Sequence, residues 1–297
     1  MKRVLTAVVL IPLVLVAVFR APMWVLLSLV AVVALLATRE YLDLAAKFGA
    51  RPFSKSVLGL MGLLFATPIL VSGWDDRFFY LAPLVFSLLL LAPYFFLVMA
   101  MRREHLKETL PSVTFSLFAF PYVAMPLLLL AFLRSSRGGW FLVLFVFVAV
   151  WAGDIAAYYA GKNLGRRLLA PRISPKKTWE GAIASVIASV LFSVLLSLYA
   201  HNLMGGLFHM HLLADGVAEP FLPPLWIVGL QAFAINIAAQ LGDLVESMLK
   251  RGAEVKDSGS ILPGHGGVLD RIDALLLASP AAVLVFALTG QYSLFPL

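Results

Sequence analysis

The stretch Gly139–Ala160, GWFLVLFVFVAVWAGDIAAYYA, holds one charged side chain, Asp154, and is otherwise apolar, aromatic or small. Coiled as a helix rising about 1.5 Å per residue, it reaches across the roughly 30 Å hydrocarbon core of a bilayer. Comparable runs lie at approximately 4–20, 22–38, 56–73, 78–100, 111–133, 181–200, 224–246 and 274–290, so the chain reads as about nine spans. Hydrophobic residues make up 62% of it, against roughly half in a soluble domain. The expected fold is all-α: a polytopic membrane helical bundle forming a single integral membrane domain over 1–297. Within it, 1–138 supplies N-terminal spans, and 139–297 carries the site in the loops 161–180 and 247–273.

The chain has no cysteine, which excludes disulfides and thiolate chemistry and leaves oxygen or histidine to hold any metal. A net charge of +7 would suit nucleic acid in a soluble chain, but in a membrane protein the placement of the cations says more than their sum. Most of the 23 Lys and Arg fall at the N-terminus (Lys2, Arg3) and in alternate loops around 39–55, 102–107, 162–177 and 250–271. The intervening loops hold only Arg20, Arg77, Arg134 and Arg137. The positive-inside rule then puts the N-terminus and the polar loops in the cytoplasm. No nucleic-acid partner is expected. The basic opening followed by an apolar run is kept as the first span, because no small-residue cleavage site follows Phe19-Arg20.

Two details bear on helix ends. Pro121 and Pro126 within 111–133 predict a kink or two shorter pieces. The segment REYLDLAAKFGARPFSK, from Arg39, spaces Tyr41, Leu42, Leu44, Ala45 and Phe48 as an interfacial amphipathic helix would. In the 201–224 loop, His209 and His211 form a His-x-His pair with no acid in register, a weak metal signal.

The chemistry is concentrated in Ser247–Asp273, SMLKRGAEVKDSGSILPGHGGVLDRID, where acids and bases alternate among glycines. Asp243, Ser247 and Lys250 fall at i, i+4 and i+7 on one helical face, joined by Glu246. A carboxylate within a span is costly and is a functional candidate by default, which singles out Asp243 and Asp154. For Asp154 an interhelical hydrogen bond or a pairing with Lys162 is the structural alternative. Asp270 and Asp273 open the last span; capping explains one acid there, and metal binding is favoured for Asp270. Magnesium takes one or two protein carboxylates, completing its shell with water and phosphate oxygens, so Asp243 and Asp270 make a candidate pair. Lys250, Arg251, Lys256 and Arg271 would neutralise phosphates, and Gly266 and Gly267 would let backbone N–H groups approach. The second basic block, SPKKTWEG from Ser174, reads as a phosphate clamp with Lys176 and Lys177, or as a topological charge cluster. In it Thr178 and Glu180 stand where they cap the next span. Neither G-x-x-x-x-G-K-[ST] nor G-x-G-x-x-G occurs.

The run Ser247, Lys250, Arg251, Lys256, Asp257, Gly259, Pro263, His265, Gly266, Gly267, Asp270, Arg271, Asp273 resembles the signature of the phosphatidate cytidylyltransferases, the CDP-diacylglycerol synthases, and SPKKTWEG resembles that family's second block. The resemblance implies that CTP and phosphatidate give CDP-diacylglycerol and pyrophosphate, with magnesium required, at the cytoplasmic face of the cell (inner or plasma) membrane. It associates Asp243 and Asp270 with the metal, with Asp273 and Asp154 as further ligands and a second, monovalent cation such as potassium nearby. Ser247 and His265 would donate hydrogen bonds, and Ser174 belongs to the phosphate-binding block. The resemblance also implies a homodimer. A transporter of a phosphorylated or anionic solute is the alternative reading.

Overall fold

A computed structural model of the chain describes residues 12–71, 81–103, 106–213, 217–261 and 266–291. Lys2, Arg3, Arg77, Pro263 and His265 lie outside the described residues, as does the first part of the expected first span, which is helical from 12 to 20 (α1). The helices that follow are α2 Met23–Lys47, α3 Ser54–Val71, α4 Leu81–Ala100, α5 Thr109–Ala119, α6 Met125–Ser135, α7 Gly139–Leu164, α8 Trp179–Leu198, α9 Ala200–His209, α10 Leu225–Gly252 and α11 Leu269–Leu288. Among the described residues six helical stretches are long and apolar enough to cross a membrane: Met23–Lys47, Thr109–Ser135, Gly139–Leu164, Trp179–Leu198, Leu225–Gly252 and Leu269–Leu288. The apolar parts of α3 and α4, Ser54–Leu70 and Ser87–Ala100, are shorter.

Four local outcomes refine or differ from the sequence reading. The helix begun at Met23 does not stop near residue 38; it runs to Lys47, so the expected amphipathic piece is its last turns, with Tyr41, Leu42, Leu44 and Ala45 buried. Around Pro121, which brings no N–H to the helical ladder, the chain widens into a π turn over Phe120–Ala124, and the helix continues from α5 into α6. The 161–180 loop is partly strand: β1 Leu168–Ala170 pairs antiparallel with β2 Ser174–Thr178, with an irregular register between Leu168↔Thr178 and Ala170↔Ser174. The stretch 200–209, taken as loop, is the short helix α9.

Helices in lipid gain little from burying apolar surface against one another and associate through small residues that let backbones approach. α8 is built that way. Gly181, Ser185, Ser189, Ser193 and Ser197 recur every fourth residue and are all buried, while Ile183, Ile187, Leu191 and Leu198 are exposed on the other side. The small face packs on α7 and α10. There Asn236 donates to Ser185 Oγ at 3.0 Å, and Gln240 donates to Asn236 Oδ1 at 2.7 Å. Gly153 on α7 lies against this pair, and a Cβ there would collide with Asn236 and Ser185. α11 packs along α10 and contributes to two apolar clusters, Leu269 and Leu276 to one and Ala278, Ala282 and Phe286 to the other. It thereby joins the α2–α6 half to the α7–α10 half.

Gly153→Ala is expected to push α7 from α8 and α10 and to cost about 1–3 kcal/mol, the usual range for overpacking. Thermal unfolding in detergent, compared with Gly229→Ala, where a Cβ meets only Val190 at 3.7 Å, checks it.

Candidate active site

The polar residues of α10 form a line, Asn236, Gln240, Asp243 and Ser247, that ends in a cavity of about 540 Å³ between α7, α8, α10 and the β1–β2 hairpin. Its walls include the small residues Gly161, Gly181, Ala157 and Ala182. Charged groups from three elements face it: Asp154 and Lys162 from α7, Lys176 and Lys177 from β2, Asp243 from α10. Lys177 Nζ stands 2.7 Å from Asp243 Oδ2, and Ser247 donates to Asp243 Oδ1 at 3.4 Å. Thr178, at the end of β2, accepts the N–H of Gly181 and caps α8. Glu180 does not cap; its carboxylate reaches back to accept the N–H groups of Arg166 and Arg167 at 3.1 and 3.3 Å, which fixes the turn leading into β1.

Beside the cavity lies a buried ionic junction. Lys250, its side chain 13% exposed, is paired with Glu246 on its own helix and with Asp270 Oδ1 at 2.5 Å on α11. Glu246 is fully buried. Asp270 Oδ2 takes three more donors: Ser258 N at 2.9 Å, Ser258 Oγ at 3.0 Å and Gly267 N at 2.8 Å. Next to it sits Glu40 of α2, only 3% exposed. Its Oε1 accepts Val268 N at 3.0 Å and its Oε2 accepts Leu269 N at 2.8 Å, while Ser258 Oγ, whose one hydrogen is shared with Asp270, lies 3.1 Å from Oε2. The glycines of this segment follow from that crowding. Gly266 has a left-handed φ of +79°, and a Cβ on Gly267 would run into Glu40 and Ser258.

The structure thus brings together Asp154, Lys176, Lys177 and Asp243 in the cavity, with Ser247 behind Asp243, and Lys250, Asp270 and Gly267 in the junction beside it. Asp273 bridges the two, since it is close enough to Asp243 and Asp154 for their charges to repel, and close to Lys250. Ser174 is at the first position of β2, paired with Ala170. Arg251 is exposed and donates to the carbonyl of Ile173, tying the end of α10 to the hairpin. Lys256 and Arg271 are exposed, without an ion pair among the described residues. His209 and His211 sit at the far end of α8, in and after α9, where the His211 carbonyl accepts from Arg20 at 2.6 Å. Sequence reasoning missed Glu40 and Ser258. The signal for Glu40 was present: it shares a helical face with Ala37, Tyr41 and Leu44, so an acid stood on the apolar side.

The two carboxylates that line the cavity, Asp154 and Asp243, are hard oxygen donors of the kind magnesium takes. Among the described residues no three carboxylates or imidazoles converge into a complete cage. Magnesium needs none, since it keeps several waters and phosphate oxygens in its shell. Asp270 is differently placed, both of its oxygens being taken by Lys250, Ser258 and Gly267.

A family profile described as the cytidylyltransferase family matches residues 1–289. The chain belongs to that family. It is 41% identical over 171 residues to the phosphatidate cytidylyltransferase of Brucella suis biovar 1 (strain 1330), a match covering 57% of this chain and 56% of that protein. The chain therefore aligns with little more than half the length of that relative. Matches to the phosphatidate cytidylyltransferases of Rickettsia bellii (strain RML369-C) and Bacillus subtilis (strain 168) are longer. The first is 33% identical over 75% of this chain and 88% of that protein, and the second 34% identical over 78% and 80%.

Removing the cation of a buried pair leaves its partners charged and unpaired, at a cost of about 3–5 kcal/mol. Lys250→Met is expected to destabilise the protein by that order, and adding Glu246→Gln to restore part of it. Unfolding of the single and double variants in detergent measures both.

Proposed function

We propose that the chain is a magnesium-dependent phosphatidate cytidylyltransferase, converting CTP and phosphatidate to CDP-diacylglycerol and pyrophosphate. The observation that carries this reading is the pairing of Lys177 with Asp243 inside a cavity of about 540 Å³ at the end of apolar helices. One carboxylate-rich side suits a metal and one lysine-rich side suits phosphates, which is the division of labour that nucleotidyl transfer requires. Membership of the cytidylyltransferase family and the names of the three relatives support the choice of nucleotide and lipid.

In this reading a phosphate oxygen of phosphatidate attacks the α-phosphorus of CTP, a new P–O bond forms, and the bond to the β-phosphate breaks to release pyrophosphate. The nucleophile is already ionised, so no general base is needed. Bound magnesium supplies charge neutralisation to the phosphoryl oxygens, held by Asp243 with Asp154 and Asp273 beside it. Lys177 and Lys176 receive the phosphates of the incoming nucleotide, and Lys162 faces the same cavity from α7. Arg251, Lys256 and Arg271, at the ends of α10 and α11, hold the lipid phosphate near the membrane surface. The acyl chains stay in the bilayer alongside the exposed apolar faces of α8 and α10. Following the alternation of basic loops, the site lies on the cytoplasmic side of a bundle of about nine spans.

The test uses detergent-purified protein, phosphatidate and α-labelled CTP, with lipid-extractable label counted with and without magnesium. Wild type is expected to give magnesium-dependent label, and Asp243→Ala and Lys177→Met to lose about 10²-fold or more of it, as removal of one group that stabilises transition-state charge does. No label from wild type across several acyl chains overturns the proposal and points to transport assays in liposomes.

A further inference from the structure

Glu40 is an anomaly by ordinary electrostatics. It is a carboxylate at 3% exposure with no ion pair among the described residues, and a buried charge without compensation is strongly unfavourable. Its compensation is the opening of α11. The N–H groups of Val268 and Leu269 belong to the end of a helix that has no intrahelical acceptor to give them, and that end carries the positive pole of the helix dipole. Glu40 takes both, one with each oxygen, at 3.0 and 2.8 Å. α11 is therefore capped by a side chain more than two hundred residues away in sequence, carried on a helix of the N-terminal half.

The same carboxylate touches the site. The Ser258 hydroxyl lies 3.1 Å from Glu40 Oε2 and 3.0 Å from Asp270 Oδ2, so it bridges the two acids. Asp270 in turn holds Lys250. Gly259 and Gly267 have room for Glu40 only because they lack side chains; a Cβ on either would strike its carboxylate. The glycine-rich segment is thus shaped around an acid that the segment does not contain.

We infer that Glu40 is a positioning residue of the site: through Ser258 and the first turn of α11 it sets where Asp270, Lys250 and Arg271 stand. This rests on the nucleotidyl-transfer reading for its catalytic consequence, though not for its structural one. Glutamine in place of Glu40 keeps the volume but has one acceptor oxygen, and its NH₂ would face an N–H donor. A packing role would tolerate that exchange, whereas an anchoring role does not.

The experiment compares wild type with Glu40→Gln in two ways. Hydrogen exchange at the amides of Val268 and Leu269, measured by mass spectrometry on 258–275 peptides in detergent, is expected to speed up about tenfold or more, since neither amide has another backbone acceptor among the described residues. In the cytidylyl-transfer assay kcat is expected to fall about 10²-fold while KM for CTP moves less than about threefold, as displacement of positioned groups by an ångström would give. Unchanged exchange, or kcat within about twofold of wild type, overturns the inference. If Glu40→Gln does not yield folded protein, Ser258→Ala removes only the bridging hydroxyl; a kcat loss of about tenfold supports the role and wild-type kcat overturns it. A wild type that transfers no label overturns the reaction instead, and the exchange result then decides the anchoring of the segment alone.

Discussion

Lys250 makes the junction of α10 and α11 possible. Where these helices pack side by side they present Asp243 and Glu246 from one and Asp270 and Asp273 from the other. Four carboxylates at one level would repel one another, and two of them have little water, Glu246 being fully buried and the Asp270 side chain 5% exposed. A single ammonium between Glu246 and Asp270 offsets that repulsion where the surrounding dielectric is low and the pairing strong. The remaining lone pairs of Asp270 are met by backbone and hydroxyl donors of the intervening segment, which fixes its course. The placement of residues 258–261 and 266–269 is therefore a consequence of the charges they must satisfy, and Gly259, Gly266 and Gly267 mark where backbone approaches carboxylate too closely for a side chain.

The cavity has a related origin on the other side of α10. Lipid-embedded helices pack through small residues, and α8 does so with glycine and a serine stripe. Toward the hairpin the same small residues, Gly161, Gly181, Ala157 and Ala182, form part of the cavity wall. Gly165 then turns the chain into β1 at a point where any Cβ would meet Thr178. Close packing in the middle of the bundle and an open site at its end come from one choice of residue size, with the hairpin laid across the opening to deliver lysines.

Much of this was legible in the sequence because it is local. The apolar runs marked the helices, and spacings of four and seven marked the face of Asp243, Ser247 and Lys250, since α10 continues unbroken to Gly252. Pairings across sequence were not legible. Nothing at Lys250 announces whether its partner is Glu246, Asp270 or a phosphate. Glu40 was overlooked because the loss of apolarity at Arg39 was read as the end of a span, whereas α2 continues with its acid turned inward toward donors that lie 228 residues on. The hairpin was invisible for another reason. LLA and SPKKT are too short to show alternation, and their pairing depends on Glu180 holding the turn before them.

Two lysine–aspartate pairs stand near each other here, and burial gives them different work. Lys250 and Asp270 are 13% and 5% exposed, and Asp270 is held by three further donors, so separating them costs several interactions at once. Lys177 and Asp243 are 25% and 36% exposed and open to the cavity, with only the long contact from Ser247 besides. A pair so placed contributes about 1 kcal/mol or less, and it yields readily to a competing charge. In the proposed reaction a phosphate arriving from solvent would meet in Lys177 a cation already in position and weakly held, and the carboxylate it leaves would be free to hold the proposed magnesium. The buried pair keeps the frame in which that exchange occurs, and the two cannot trade roles without moving the boundary of water in the site.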